Sequence, residues 1–388
     1  MAAPPQIGPG RPRLLRSLNE RRALRALMAN GAMTRLQLGE ATGLSAPTTS
    51  HLVARLEELG LLREAGWVAG KKGPNAVVYQ LSTDAMRGVA VDVQPRRLMA
   101  QMVDATPAVY PVTEVARTGG RRRAEDDLSA AIEAACAAAN HPRTAVVAVC
   151  VGLPGAVSQT GDQISLADSS VAGWPKIHAR SELEERLGLT VLIDNDVKLA
   201  AVAEGAARPG EGDFALLWEG QGVGLAWLAD GRVRHGQAGG AGEIGYLPLP
   251  GTLGQAAGAT NVQEWVGSNG VTALVQAVRP TTRTFGAALK SLNDPELRPA
   301  LLAELAWRTA EVAQPVLAVL DPAELVLAGP TGAALADDGA ALVQQHLHRA
   351  TQWRTPVVSA KVTEQPVLRG AALTLSHYLA DQTLALVS

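Results

Sequence analysis

Cysteine is nearly missing from this chain: two occur in 388 residues, Cys136 in an Ala-rich helical pattern and Cys150 in a strand-like run. Neither stands in a C-x-x-C spacing, which argues against a disulfide framework, and both read as small buried hydrophobes. Also lacking is any run of about 20 uninterrupted apolar residues. The opening stretch MAAPPQIGPGRPR has no apolar segment able to act as a signal-peptide core. The expectation is a soluble, cytoplasmic protein with no membrane partner. Charged residues make up 19% of the chain against 47% hydrophobic, a globular balance outside the disordered regime. The length exceeds one ordinary core, so two or three domains are expected.

What charge there is lies unevenly. Residues 1–82 hold eleven Lys and Arg against five Glu, a balance of +6, so the remainder carries −8 within the chain's net −2. A basic end on an acidic body points to a polyanion partner for the first part alone. From Leu14, the positions Leu14, Leu15, Leu18, Ala23, Leu24 and Leu27 recur at helical spacing, and Gly31 supplies a stop. Thr34 offers an N-cap for RLQLGEAT, and TGLS then reads as the turn of a helix-turn-helix, with Gly43 free to take a positive φ. Ser45 is expected to cap the next helix, where Pro47 falls in the first turn. Its inner stripe is Thr49, Leu52, Val53, Leu56 and Leu59. The opposite face, with Ala46, Thr48, Ser50, His51 and Arg55, suits a helix lying in a major groove. Two β-prone runs follow, separated by Gly-Lys-Lys-Gly-Pro-Asn, and read as a β-wing that brings Lys71 and Lys72 to phosphates or a minor groove. Order and context together predict a DNA-binding winged helix, with double-stranded DNA as partner.

After Leu81 the pattern becomes alternating. GVAVDV, RLMAQMVDAT, YPVTEVA and TAVVAVCVGLPG read as strands, and RAEDDLSAAIEAACAAAN as a helix. FALLWEGQGVGLAWLADGRV reads as a hairpin turning at Asp230-Gly231. The last third alternates long helices with the strands AELVLAG and VVSAKV, which argues an α/β body of two lobes. Asp194, Asn195 and Asp196 close the strand TVLI, with Glu204 on the helix after it. Strand C-terminal ends are where α/β sheets place ligand contacts, although Asp194 or Asn195 can equally cap that helix.

The N-terminal winged helix together with VGLPGAV, DNDVKLAAVAEG, GQGVGLAWLADGRVRHGQAGGAGEIGY and LVLAGP resembles the ROK family (repressor, open reading frame, kinase) over nearly the whole chain. The resemblance implies an α/β fold: a disordered arm at 1–13, a winged helix-turn-helix at 14–82 and a two-lobed actin-like body at 83–388 that binds an effector and oligomerises. By position it also implies that Asn195, Asp196, Glu243 and Glu264 hold sugar hydroxyls, Asp196 being the base in the family's kinases. An ionised carboxylate accepts several hydrogen bonds, which suits a ring of vicinal hydroxyls. The other reading of Glu243 is a carboxylate capping its own Gly-rich turn.

The chain also departs from the family pattern. Where its kinases open with Asp-x-Gly-Gly-Thr, this chain reads Asp92-Val93-Gln94-Pro95-Arg96, and Pro95 lacks the N–H a phosphate would need. Leu225 and Ala226 stand where two further glycines are expected, and Ala328-Gly329-Pro330 replaces a Gly-Gly pair. The zinc loop of the family here reads LPGTLGQAAGATNVQEW, without cysteine, so neither metal nor other cofactor is expected. Tyr246 occupies the place of a ligand-contacting His, and either replaces its hydrogen bond or fills part of the pocket. The leading expectation is a non-enzymatic regulator of the repressor type, a homodimer or higher oligomer whose DNA binding answers to a sugar or sugar derivative. The alternatives are an active sugar kinase carrying a DNA-binding domain, and a ligand-independent regulator whose body is a dimerisation scaffold.

Overall fold

The computed structural model describes residues 12–69, 75–84, 86–117, 123–165, 173–249, 251, 253 and 258–387. Helix α1 (Pro12–Asn30) ends at Gly31, whose φ of +73° and N–H bond to the Leu27 carbonyl close the last turn. Its apolar stripe is buried only in the second half. Ala23, Leu24 and Leu27 are sealed, while Leu14, Leu15 and Leu18 are 62%, 58% and 46% exposed. Strand β1 (Met33–Thr34) leads into α2 (Arg35–Thr42), which Thr34 and Gln37 close with a reciprocal capping box. Gly43 turns the chain at φ +70° into α3 (Ala46–Glu58).

At the start of α3 the expected cap is not made. The Ser45 hydroxyl lies 2.9 Å from Thr48 Oγ1 and bonds no backbone N–H of the first turn. The inner stripe packs as expected at Thr49, Leu52, Val53 and Leu56, but Leu59 is 42% exposed because the helix ends at Glu58. Strands β2 (Leu62–Val68) and β3 (Ala76–Leu81) form the antiparallel wing, with β1 on the other edge of β3. The wing tip, with Lys71 and Lys72, lies outside the described residues.

Lobe one comprises β4 (Arg87–Val93), β5 (Arg97–Val103), β6 (Val112–Ala116), α4 (Ala124–Ala139), β7 (Val146–Leu153), the short pair β8 (Ala156–Val157) and β9 (Ile164–Ser165), α5 (Ala179–Leu187), β10 (Thr190–Asn195) and α6 (Asp196–Ala206). Its sheet runs β10-β7-β4-β5-β6, with β4 parallel to β7 and antiparallel to β5. Every residue of β4 is buried, which is why GVAVDV is apolar on both faces.

Lobe two repeats this plan with β11 (Phe214–Glu219), β12 (Val223–Ala229), β13 (Arg232–Val233), α7 (Val262–Val266), α8 (Ser268–Val278), α9 (Phe285–Ser291), α10 (Arg298–Leu320), β14 (Glu324–Ala328), α11 (Gly329–Ala350) and β15 (Val357–Ser359). The order is β13-β12-β11-β14-β15, again with the first strand central. The expected single hairpin is two. Gly220-Gln221-Gly222 joins β11 to β12, and Asp230-Gly231, both at positive φ, joins β12 to β13.

The last helix, α12 (Pro366–Ala385), returns to lobe one and packs on α6 and β4. Gly370 permits this approach, since a Cβ there would collide with the Leu199 carbonyl of α6. The far end of α12 enters the same hydrophobic cluster as the winged helix: Leu379, Leu384 and Val387 are buried in one core with Leu24, Leu27 and Tyr79. Ser17 Oγ donates to the Val387 carbonyl at 2.6 Å.

Candidate functional site

A cleft of about 1030 Å3 is lined by residues from both lobes, at the C-terminal ends of lobe one's central strands. Parallel register aligns Asp92 with Gly152, and Gly152 with Asp194, so carboxylates gather at one edge of the sheet. The chain then turns from β10 into α6. Asn195 caps that helix, its Oδ1 accepting from the Lys198 N–H at 3.0 Å. The Asn195 amide donates to the Gly155 carbonyl at 3.0 Å and to Asp196 Oδ1 at 3.1 Å. Asn195 is therefore spent largely on positioning, and Asp196 is left as the carboxylate beside the open space.

Asp92, Asp196 and Glu243 all line the cleft, as do Asn195 and Tyr246. Burial pushes the Asp196 carboxyl up to about 7, and the neighbouring charges of Asp92 and Glu243 push the same way. Asp92 is raised by burial to about 6, partly offset by the Gln94 amide, which donates to it at 2.7 Å, and by Arg97. Burial also raises Glu243, against the pull of Lys198. Lys198 is itself buried: its Nζ donates to the carbonyls of Gly239 and His235, and burial lowers its pKa.

The Gly-rich turn carrying Glu243 is wedged between the lobes. A Cβ on Gly239 would collide with the Val157 carbonyl of lobe one, and one on Gly242 with the Leu225 carbonyl of lobe two, both positions having positive φ. Lys198 fixes the turn from below, and His235 anchors its start with Nε2 2.9 Å from Asp194 Oδ2. Glu243 makes no side-chain cap bond to the short helical turn at Ile244–Tyr246, so its carboxylate is not consumed by its own loop.

Glu264 is placed differently from the other expected sugar ligands. Its carboxylate accepts from the Thr260 N–H at 2.7 Å and the Thr260 hydroxyl at 2.8 Å, and it is not among the cleft's lining residues. The first turn of α7 accounts for this, because Asn261 caps that helix and leaves Glu264 to brace the residue before the cap. The neighbouring Gln263 is the α7 side chain that reaches the cleft lining.

On α3 the expected DNA-facing side chains Thr48, Ser50 and His51 are exposed on one face. Arg55 is held back. Its Nε donates at 2.8 Å to Glu20, a buried carboxylate of α1, so its guanidinium also serves the module's own packing. Among the described residues no group of three or more His, Cys, Asp and Glu comes together as a metal would require. The former zinc-loop stretch falls partly outside those residues. No helix among them is long and apolar enough to cross a membrane.

The ROK family profile matches residues 89–377, and a winged helix-turn-helix DNA-binding profile matches residues 16–63. This chain belongs to the ROK family. It is 26% identical over 245 residues to the DNA-binding transcriptional dual regulator NagC of Escherichia coli, covering 61% of this chain and 58% of NagC. It is 23% identical over 241 residues to a putative xylose repressor of Caldicellulosiruptor, covering 61% and 60%. The chain thus spans less than two thirds of the length of these curated relatives. In fold, it matches the crystal structure of a ROK family transcriptional regulator, a homologue of the E. coli Mlc protein, with a TM-score of 0.67 at 18% identity over 96% of this chain and 98% of that one. It also matches a ROK glucokinase from Streptomyces griseus, in complex with glucose and AMPPNP, with a TM-score of 0.59 at 19% identity over 74% and 98%. The ROK body and the winged helix thus coexist in one chain, as the sequence motifs implied.

Three features of the cleft or of the residues behind it escaped the sequence reading. Lys198 is two residues beyond Asp196, but nothing in DNDVK announces that a lysine will be buried. His235 meets Asp194 across 41 residues of chain, with no local spacing to connect them. Trp218 lines the cleft as the one half-buried residue of β11, and the uniformly apolar run before Glu219 gives no sign of it.

Proposed function

We propose that this protein is a DNA-binding transcription regulator acting as a repressor, whose ROK body binds a sugar or sugar derivative that alters DNA affinity. The observation that carries this reading is the pairing, in one chain, of an open α3 face with a cleft that keeps its carboxylate end. The first phosphate element of the family's kinases is meanwhile replaced by side chains. Gln94 is tied to Asp92 and to Arg97, and Pro95 lines the cleft with no N–H to offer. In this reading Asp196 and Glu243 accept hydrogen bonds from sugar hydroxyls, Asn195 positions Asp196, and Tyr246 closes the mouth. Thr48, Ser50 and His51 meet the major groove, and Lys71 and Lys72 meet the backbone. The partners are an operator duplex and a second copy of the chain, since a palindromic site matches a two-fold dimer. NagC and the xylose repressor support it by name.

Anisotropy of the full-length protein on duplex DNA from upstream of its own gene, against a scrambled duplex, tests the reading. Specific binding released by one sugar of a panel is expected; specific binding indifferent to every sugar would leave the body as a scaffold. The kinase alternative is favoured by one observation, an Asp196 carboxyl raised to about 7, which suits a general base near neutral pH. Sugar-dependent ADP release above background would restore it.

A further inference from the structure

The cleft is larger than a single sugar requires, and most of its titratable lining is carboxyl. Its volume of about 1030 Å3 sits at the upper end of the range that encloses drug-sized ligands, and one pyranose at the Asp196 end leaves most of it empty. The rest of the space runs along β11, β14 and the start of α11, past Trp218, Gln221, Gly329, Pro330, Ala333 and Ala336. This second end offers an aromatic face, small apolar surfaces and an amide.

The lining carboxylates are Asp92, Asp196, Glu243 and Asp337, and among the described residues the one basic lining residue is Arg97. Arg97 is already paired with Glu114 at 3.0 Å and bonded to Gln94 at 2.8 Å. Lys198, behind Glu243, is committed to two backbone carbonyls and does not line the cleft. A phosphate dianion entering here would meet a mostly acidic lining whose one basic side chain among the described residues already has a carboxylate partner, and juxtaposed like charges are strongly unfavourable. A second sugar ring or a neutral aglycone has no such difficulty. The C–H face of a pyranose is apolar and matches an indole face, while its hydroxyls can exchange hydrogen bonds with Gln221 and with open carbonyls.

We propose that the effector is an unphosphorylated glycoside of at least two rings, with one ring at Asp196 and Glu243 and the next over Trp218 beside Pro330. The proposal rests on the sugar-binding reading above and deepens it.

Calorimetric titration of the full-length protein tests it with matched probes: glucose, xylose and N-acetylglucosamine, their phosphates, and their β-1,4-linked dimers. For the sugar that binds, the dimer is expected at least tenfold tighter than the free sugar, and the phosphate weakest. Trp218→Leu should shrink the dimer-to-monomer ratio towards one. Gln221→Ala, at an exposed position of the same end, should lower that ratio as well and provides the measurement if Trp218→Leu folds poorly. Equal affinity for free sugar and dimer, or tightest binding of a phosphate, overturns the two-ring proposal and leaves the sugar-responsive regulator standing. Absence of binding by every probe, with specific DNA binding intact, overturns both.

Discussion

Lobe one and lobe two share a strand order, with the first strand central, an antiparallel pair on one side and a parallel pair on the other. They differ in what stands at their strand ends. In lobe one, β4, β10 and the start of α6 deliver Asp92, Asp194 and Asp196 to the cleft or its wall, whereas in lobe two the end of β14 and the start of α11 deliver Ala328, Gly329 and Pro330. Lobe two has a carboxylate of its own at the end of β11. Glu219 is raised by burial to about 7, like Asp196, yet it is sealed inside and touches the Thr309 hydroxyl at 2.9 Å. One topology thus carries two carboxyls of similar acidity, of which only Asp196 can meet a ligand. The chemistry lies in which face of the strand end a residue occupies, not in the fold.

The contrast can be broken most severely where the lobes meet. Gly242→Ala forces a Cβ into the Leu225 carbonyl at φ +94°, and should cost on the order of 3 kcal/mol, read as a lowered urea midpoint, together with loss of effector response. Lys198→Met comes next. It leaves the Gly239 and His235 carbonyls without their buried donor, at about 1–3 kcal/mol, and raises Glu243 further because Lys198 now holds it down. A shift of the effector-binding pH profile to higher pH checks the second half of that expectation.

Titration sharpens the comparison. A carboxyl whose folded pKa lies above its unfolded value binds its proton more tightly when folded. The Asp196 contribution therefore weakens the fold as pH rises from about 4 to about 7, by at most about 1.4 kcal/mol per unit. Asp196→Asn should flatten that slope in denaturation midpoints measured between pH 5 and 8, and should abolish effector binding. Glu219→Gln should flatten the slope over the same interval while leaving effector affinity within twofold, the smallest functional effect of the four. Equal loss of affinity in both variants would mean that Glu219 communicates with the cleft after all.

Most of the fold was legible because its signals are local. GVAVDV and TAVVAVCV are apolar on both faces and became buried parallel neighbours, AELVLAG became a buried strand parallel to β11 in lobe two, and Thr34 capped α2 as expected, with Gln37 completing a capping box. What misled was local plausibility without knowledge of the partner. Ser45 is a good capping residue but its hydroxyl met Thr48; Leu14, Leu15 and Leu18 have helical spacing but stand exposed among the described residues. Within the site, Asp196, Glu243 and Tyr246 lie at the cleft, whereas Glu264 turned to Thr260 and Arg55 to Glu20. Each is a long side chain with a nearer partner, a competition that motif position does not reveal, and Arg55 still remains 44% exposed. The buried Lys198 and the His235–Asp194 contact are tertiary by nature.

Helix α12 runs 20 residues, about 30 Å, from Pro366 and Val367 in the cleft wall towards the core it shares with α1 and β3. It is also the last of these elements to leave the ribosome, while α1 is the first. The winged helix can fold early by its own contacts, but the surface that Leu384 and Val387 cover stays open until synthesis has passed the whole body. A nascent chain therefore cannot hold its winged helix in the finished setting before the cleft has acquired its final wall. The order of translation ensures that the winged helix and the cleft are completed by the same helix.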